Sequence, residues 1–159
     1  MINDTGGFYL DRTPVGWGLC AARDFNEGSL VLTFVGSLLT LNQTLDYGQW
    51  GFYSVQIGRD RYLDVEPPGA FINHSCSPNC GIRGSVALIA LEDISEGTEL
   101  VMDYSTCIAE DPETMVCRCG CPNCRGLIGN FLSLPTELQN KYLRQGIVSD
   151  FIAAEAKLI

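Results

Sequence analysis

The sequence predicts a mainly β domain that ends in a helical tail, and three observations carry that prediction. Short runs of β-branched and apolar residues alternate with glycine-centred turns as far as Tyr104. No stretch shows the period of an amphipathic helix before a cysteine cluster at 117–124. Beyond the cluster, LPTELQNKYLRQG (134–146) does, with Leu138, Tyr142 and Leu143 on one face, Thr136 near the start and Gly146 as a stop.

In chain order, Val15-Gly16-Trp17-Gly18-Leu19 sets a tryptophan between two glycines. The bare backbone there either lets a ligand approach closely or simply makes a turn. Asp24-Phe25-Asn26-Glu27-Gly28 is a turn leading into SLVLTFVG (29–36), expected to be one buried strand. LNQTLDYGQWG (41–51) reads as a short helical or irregular insert. FYSVQI (52–57) and RYLDV (61–65) form a hairpin through Gly58-Arg59-Asp60. Pro67-Pro68-Gly69 breaks the chain, and SVALIAL (85–91) is a further buried strand. Asp93-Ile94-Ser95-Glu96-Gly97 repeats the local pattern of 24–28 and leads into the strand TELVMDY (98–104). The stretch 105–116 is expected to be an acidic, irregular loop with Glu110, Asp111 and Glu113. Ser149 is expected to cap a last helical piece, DFIAAEAKLI.

A chain of 159 residues and 17.4 kDa is one domain with a real core. It lacks the ~20 consecutive apolar residues of a membrane span. Its N-terminus has neither a basic start nor an apolar run, so no signal peptide is expected. Nineteen acids against ten bases give a net charge of −9. That argues against a nucleic-acid partner, which calls for a basic surface. It suits a basic partner, such as a Lys/Arg-rich peptide, or else serves only solubility. Eight cysteines without a leader point to a reducing compartment, nucleus or cytoplasm, and to metal rather than disulfides.

Two segments concentrate the chemistry. Cys117-Arg-Cys119-Gly-Cys121-Pro-Asn-Cys124 holds four thiols on a backbone that Gly120, Pro122 and Gly126 can turn. A tetrahedral zinc site could take all four, or three plus a thiol from elsewhere. FINHSCSPNC (71–80) contains an amide, the single histidine and two cysteines. It is either a strand end with an Asx turn or a polar ligand site whose Cys76 reaches a metal.

Together these motifs resemble the SET-domain protein lysine methyltransferases. The resemblance rests on GWG (16–18), FINHSCSPN (71–79), ELVMDY (99–104) and Cys-x-Cys-x4-Cys at Cys117, Cys119 and Cys124, in the family's order. It covers roughly residues 8–126. It implies a SET β-clip fold with a pseudoknot over 8–105, a zinc-binding post-SET segment over 106–126 and a helical extension over 127–159. With no zinc-rich pre-SET segment ahead of these motifs, a free-standing SET plus post-SET unit is expected.

The same resemblance implies S-adenosylmethionine as cofactor, held by Gly16, Trp17, Gly18, Asn73 and His74, with Tyr53 added from the strand before the central motif. It implies Tyr104 as the catalytic tyrosine and Phe34, Phe71 and Met102 as the lysine channel. Zinc is implied on Cys76, Cys117, Cys119 and Cys124, leaving Cys121, Cys20, Cys80 and Cys107 as bystanders. The substrate implied is a basic, lysine-containing protein, histones among the candidates. Three departures stand out: Phe34 replaces a tyrosine, Pro67-Pro68-Gly69-Ala70 replaces the usual Gly-Asn and Arg, and Met102 stands where Phe or Tyr often sets the number of methyl groups. A weakly catalytic module that binds a peptide or partner is the alternative these departures leave open.

Overall fold

The computed structural model describes residues 6–46, 54–110 and 114–156. Tyr53, much of the 41–51 insert, Asp111 and Glu113 lie outside the described residues. The elements run β1 (Phe8–Thr13), β2 (Gly16–Ala21), β3 (Leu30–Thr33), β4 (Gly36–Leu39), α1 (Leu41–Asp46), β5 (Ser54–Gly58), β6 (Arg61–Val65), β7 (Asn73–His74), β8 (Cys80–Arg83), β9 (Ala87–Ala90), β10 (Val101–Met102), β11 (Met115–Val116), β12 (Leu127–Ile128), α2 (Thr136–Gln145) and α3 (Asp150–Ala156). The protein is mainly β, with five small sheets among the described residues.

β1 and β2 form an antiparallel hairpin with Arg12 opposite Trp17. The hairpin expected from arms 52–57 and 61–65 is present over its described residues, 54–65, with β6 central between β4 and β5. β9 is central between β3 and β8. The single strand expected over 29–36 is instead two strands in two different sheets. At the crossover the Phe34 N–H donates to Val86 O (2.8 Å), whereas Val35 O accepts from Glu66 N–H (2.9 Å). Adjacent residues thus bond to different partners, and the strand cannot continue in one ladder.

The two similar turns pair with each other. Phe25 and Ile94 exchange backbone hydrogen bonds, each 2.8 Å. Asp93 Oδ1 accepts from the Glu27 N–H (2.9 Å) and Asp24 Oδ1 from the Glu96 N–H (2.8 Å), so each turn's carboxylate caps the other turn. Gly28 (φ 80) and Gly97 (φ 87) supply the positive φ at matching places. The short sequence match is therefore a local pseudo-two-fold that joins the two halves of the sheet structure.

TELVMDY is a strand over only part of its length. Leu100 N–H bonds Leu19 O (2.7 Å), and β10 then runs parallel to β7, Val101 opposite Asn73 and Met102 opposite His74. Asn79 fastens the two segments together: its Nδ2 donates to Glu99 O (2.7 Å) and its Oδ1 accepts from Val101 N–H (2.9 Å). The 71–80 and 99–104 segments thus lie side by side, as the expected fold brings them. At Tyr104 the chain turns into a 3₁₀ helix, Tyr104–Cys107, started by the Asp103 carboxylate, which accepts from Ser105 N–H. Part of the irregular loop expected over 105–116 is therefore ordered, as is β11, paired with β12.

β9 divides two cores. Leu88 and Ala90 point into a core with Leu19, Phe25, Ile82, Leu100 and Met102, whereas Ile89 and Leu91 point into a second with Phe131, Tyr142, Ile147 and Ile152. Burial on both faces is the reason 85–91 reads as an unbroken apolar run. The second core is built by the tail, so the helices cover the domain's own sheet. α2 ends at Gly146 in the left-handed region (φ 65), whose N–H bonds back to Leu143 O (3.1 Å). Ser149 stands at the start of α3, yet its buried hydroxyl finds no partner among the described residues. Its N–H instead bonds Thr106 O (3.0 Å), which makes it a docking point rather than a side-chain cap.

The tail docks closely on Gly81. A Cβ there would lie 2.8 Å from Ile147 Cβ and 3.0 Å from Leu91 Cδ2. Gly81→Ala is therefore expected to destabilise the protein by ~1–3 kcal/mol through overpacking. The expected readout is a lower urea midpoint at an unchanged slope.

Candidate active site and metal centre

Two of the family motifs meet through Asn73. Its Nδ2 donates to the Trp17 carbonyl (3.1 Å) and to Glu99 Oε1 (2.8 Å), joining β2 to β7. Gly18 leaves room where these groups converge, since a Cβ would stand 2.6 Å from Glu99 Oε1 and 2.9 Å from Asn73 Nδ2 and would push those side chains aside. Gly16, at φ +129, has open space where its Cβ would be. The Trp17 side chain is 49% exposed, with the Arg12 guanidinium 4.3 Å over its ring.

His74 is buried, and both ring nitrogens are engaged. Nδ1 accepts from the Tyr104 N–H (3.1 Å), so the proton sits on Nε2, 3.4 Å from Cys76 Sγ. Burial, with a smaller push from Arg125, outweighs the pull of Asp103 and lowers its pKa to about 4. The ring is neutral at pH 7 and bridges the tyrosine backbone to a cysteine.

Tyr104 is half-buried beside this ring, edge-on at 5.3 Å between centroids. Its hydroxyl donates to Ile72 O at 2.6 Å. Phe34 and Met102 belong to the first core, and Phe71 is packed half-buried against it. Gly69, in the stretch that departs from the family, allows the Phe34 ring to sit 2.8 Å from where its Cβ would be.

Cys76, Cys117, Cys119 and Cys124 come together with all four sulfurs within 4.8 Å of one another. A zinc tetrahedron with ~2.3 Å bonds has sulfur–sulfur edges of ~3.8 Å, and the Cys76–Cys117 distance is 3.7 Å. The donor set fits zinc. Cys121 is outside this group, although its sulfur is 3.5 Å from that of Cys119. Burial raises the Cys76 thiol to about 11. Burial also pushes Cys119 up, but hydrogen bonds from neighbouring backbone and thiol groups outweigh it and bring it down to about 6. A metal arriving here must displace protons from the higher thiols. Cys80 and Cys107 are elsewhere in the core, and burial raises each to about 12, which suits inert structural thiols.

Sequence reasoning missed a buried network behind the tyrosine. Asp103, 1% exposed, accepts from Arg125 through two parallel bonds (2.8 and 2.9 Å) and from the Tyr142 hydroxyl (3.1 Å). Arg125 follows a metal-cluster cysteine, and its N–H points at Cys76 Sγ (3.4 Å). The available signal was an acid inside the apolar run LVMDY and an arginine directly after the last cysteine. Glu110, from the acidic loop, is turned inward and accepts from the Tyr62 hydroxyl (3.0 Å).

A GWG hairpin tied to the 71–80 segment, that segment paired with 99–104, and a thiol cluster that includes Cys76 are the marks of a SET domain. The SET family model matches residues 16–105, and the chain belongs to that family. Among similar curated proteins are the mouse and human "Histone-lysine N-methyltransferase, H3 lysine-36 specific", each 37% identical over 131 residues, covering 72% of this chain. "Histone-lysine N-methyltransferase trr" of Drosophila melanogaster is 30% identical over 136 residues, 74% of this chain. The chain spans 5% of the length of the first two and 6% of the third. No helix among the described residues is long and apolar enough to cross a membrane.

Proposed function

We propose that this domain transfers a methyl group from S-adenosylmethionine to a lysine side-chain amine of a basic protein segment, a histone tail being the leading case. The observation that carries the reading is Tyr104, packed against the cysteine cluster with its hydroxyl and N–H both held by the 72–74 segment, which Asn73 in turn ties to Trp17. The names of the similar proteins support the same chemistry, and the net charge of −9 suits a basic partner.

The cofactor fits the bare backbone at Gly16 and the fixed Trp17–Asn73 junction. With both His74 nitrogens engaged inside the protein, His74 would meet the cofactor through its backbone, and Asn73 likewise, since its amide is spent on Trp17 and Glu99. S-adenosylmethionine, when bound, supplies an electrophilic sulfonium methyl. A lysine ammonium has a pKa of ~10.4 and no free lone pair, so it must lose a proton before attack. An apolar channel formed by Phe34, Phe71 and Met102 would disfavour the charged amine and lower that pKa. The Tyr104 hydroxyl would orient the neutral amine for in-line attack, and such alignment accounts for roughly 7–11 kcal/mol of barrier in well-oriented systems. Zinc on Cys76, Cys117, Cys119 and Cys124 would fold the 114–128 segment against the site.

The test is calorimetric titration of the intact protein with S-adenosylmethionine, with zinc quantified in the same sample. Saturable binding with one zinc per chain is expected. Absence of binding in zinc-replete protein would overturn the enzymatic reading and favour a peptide-binding module.

A further inference from the structure

The Asp103 carboxylate is the point where three separate parts of the chain are tied together. Ser105 N–H bonds its Oδ1 (3.1 Å) and starts the 3₁₀ turn that carries Tyr104. Arg125, from the cysteine segment, grips both oxygens. Tyr142, from α2, donates its hydroxyl to Oδ2 at 3.1 Å. Both Asp103 and Tyr142 are almost fully buried, at 1% and 2% exposure. A buried carboxylate held by several donors has one orientation, because each donor it loses leaves a lone pair unmatched in a low dielectric. That orientation sets the 103–105 backbone, and with it the direction of the Tyr104 side chain.

We propose that Tyr142, on the helical extension outside the matched family region, is a positioning residue for the methyl-transfer site and acts on Tyr104 through Asp103. The proposal rests on the functional reading above. It gives the tail a second role besides covering β9: its phenol completes the donor set of the carboxylate next to the reacting tyrosine. An apolar residue at 142 would fill the same core volume but leave that set incomplete.

The test compares Tyr142→Phe with Leu138→Ala in the intact, zinc-loaded protein. Tyr142→Phe keeps the ring and removes one donor, whereas Leu138 packs against the second core and contributes no donor to Asp103. For Tyr142→Phe, kcat on a basic lysine peptide is expected to fall about tenfold, the size expected for a hydrogen bond to a charged group, with KM and cofactor affinity held. Hydrogen exchange should quicken at the Tyr104 and Ser105 amides and stay unchanged in β9. Leu138→Ala should lower the melting temperature and leave kcat as in wild type. Arg125→Lys, which keeps the charge but loses the two-bond grip, should change exchange at the same two amides. Wild-type kcat and wild-type exchange at 104 and 105 in Tyr142→Phe would overturn the proposal. So would an equal loss of kcat in Leu138→Ala, which would reveal general loosening. A wild-type protein that binds no S-adenosylmethionine and methylates no basic peptide would remove the functional reading itself, a result distinct from unchanged exchange in the variant.

Discussion

Tyr104→Phe is expected to lower turnover by on the order of a hundredfold or more, the usual size for losing one preorganised donor at a reacting centre. S-adenosylmethionine affinity should be unchanged. The hydroxyl donates to Ile72 O at 2.6 Å, where the two motif segments lie side by side. Phenylalanine keeps the ring's edge contact with His74 and the backbone bond to Nδ1, so the surrounding fold survives. Single-turnover methyl transfer on a basic peptide, beside calorimetry, separates the two quantities. Turnover equal to wild type would remove Tyr104 from the reaction.

Removing the metal, by a chelator or by Cys119→Ser, is expected to release the whole 114–128 segment. Apart from its thiols this segment is held chiefly by the Arg125–Asp103 pair: β11 and β12 are two residues each, and the small core beneath them contains Cys76, Cys117 and Ile128 as its buried members. Structural zinc contributes folding free energy directly in such sites. Proteolysis and hydrogen exchange should therefore report an opened segment, while β8 and β9 remain protected. Turnover and cofactor binding should both drop, unlike in Tyr104→Phe. The Arg125–Asp103 pair should weaken in parallel, since Arg125 directly follows Cys124. A chelated protein with an intact, protected segment would show that the four thiols are not a structural metal site.

Elements whose cause is local were legible in the chain. The 54–65 hairpin follows from a turn signal between two β-rich runs, and α2 from its apolar face and the stop at Gly146. The thiol-rich turn at 117–124 pointed to a metal site, and motif resemblance added Cys76, which the structure brings within 4.8 Å of Cys117, Cys119 and Cys124 in a group that could hold a metal ion. Other features depend on contacts between distant residues, and no local pattern contains those. The apolar run at 29–36 gives no sign that Phe34 bonds Val86 while Val35 bonds Glu66, so it reads as one strand. Ser149 has the chemistry of a cap, but its backbone is taken by Thr106 across the second core.

The sequence by itself determined the mainly β class, the helical ending, and the residues that mark the family, because these are written in spacing and residue type along neighbouring positions. Only the tertiary structure decided that the two DxxEG turns cap each other, that the tail covers the outer face of β9, and that Asp103 gathers Arg125 and Tyr142 behind Tyr104. Those are matters of burial: a carboxylate at the end of an apolar strand must find donors once water is excluded, and which donors reach it depends on the fold as a whole.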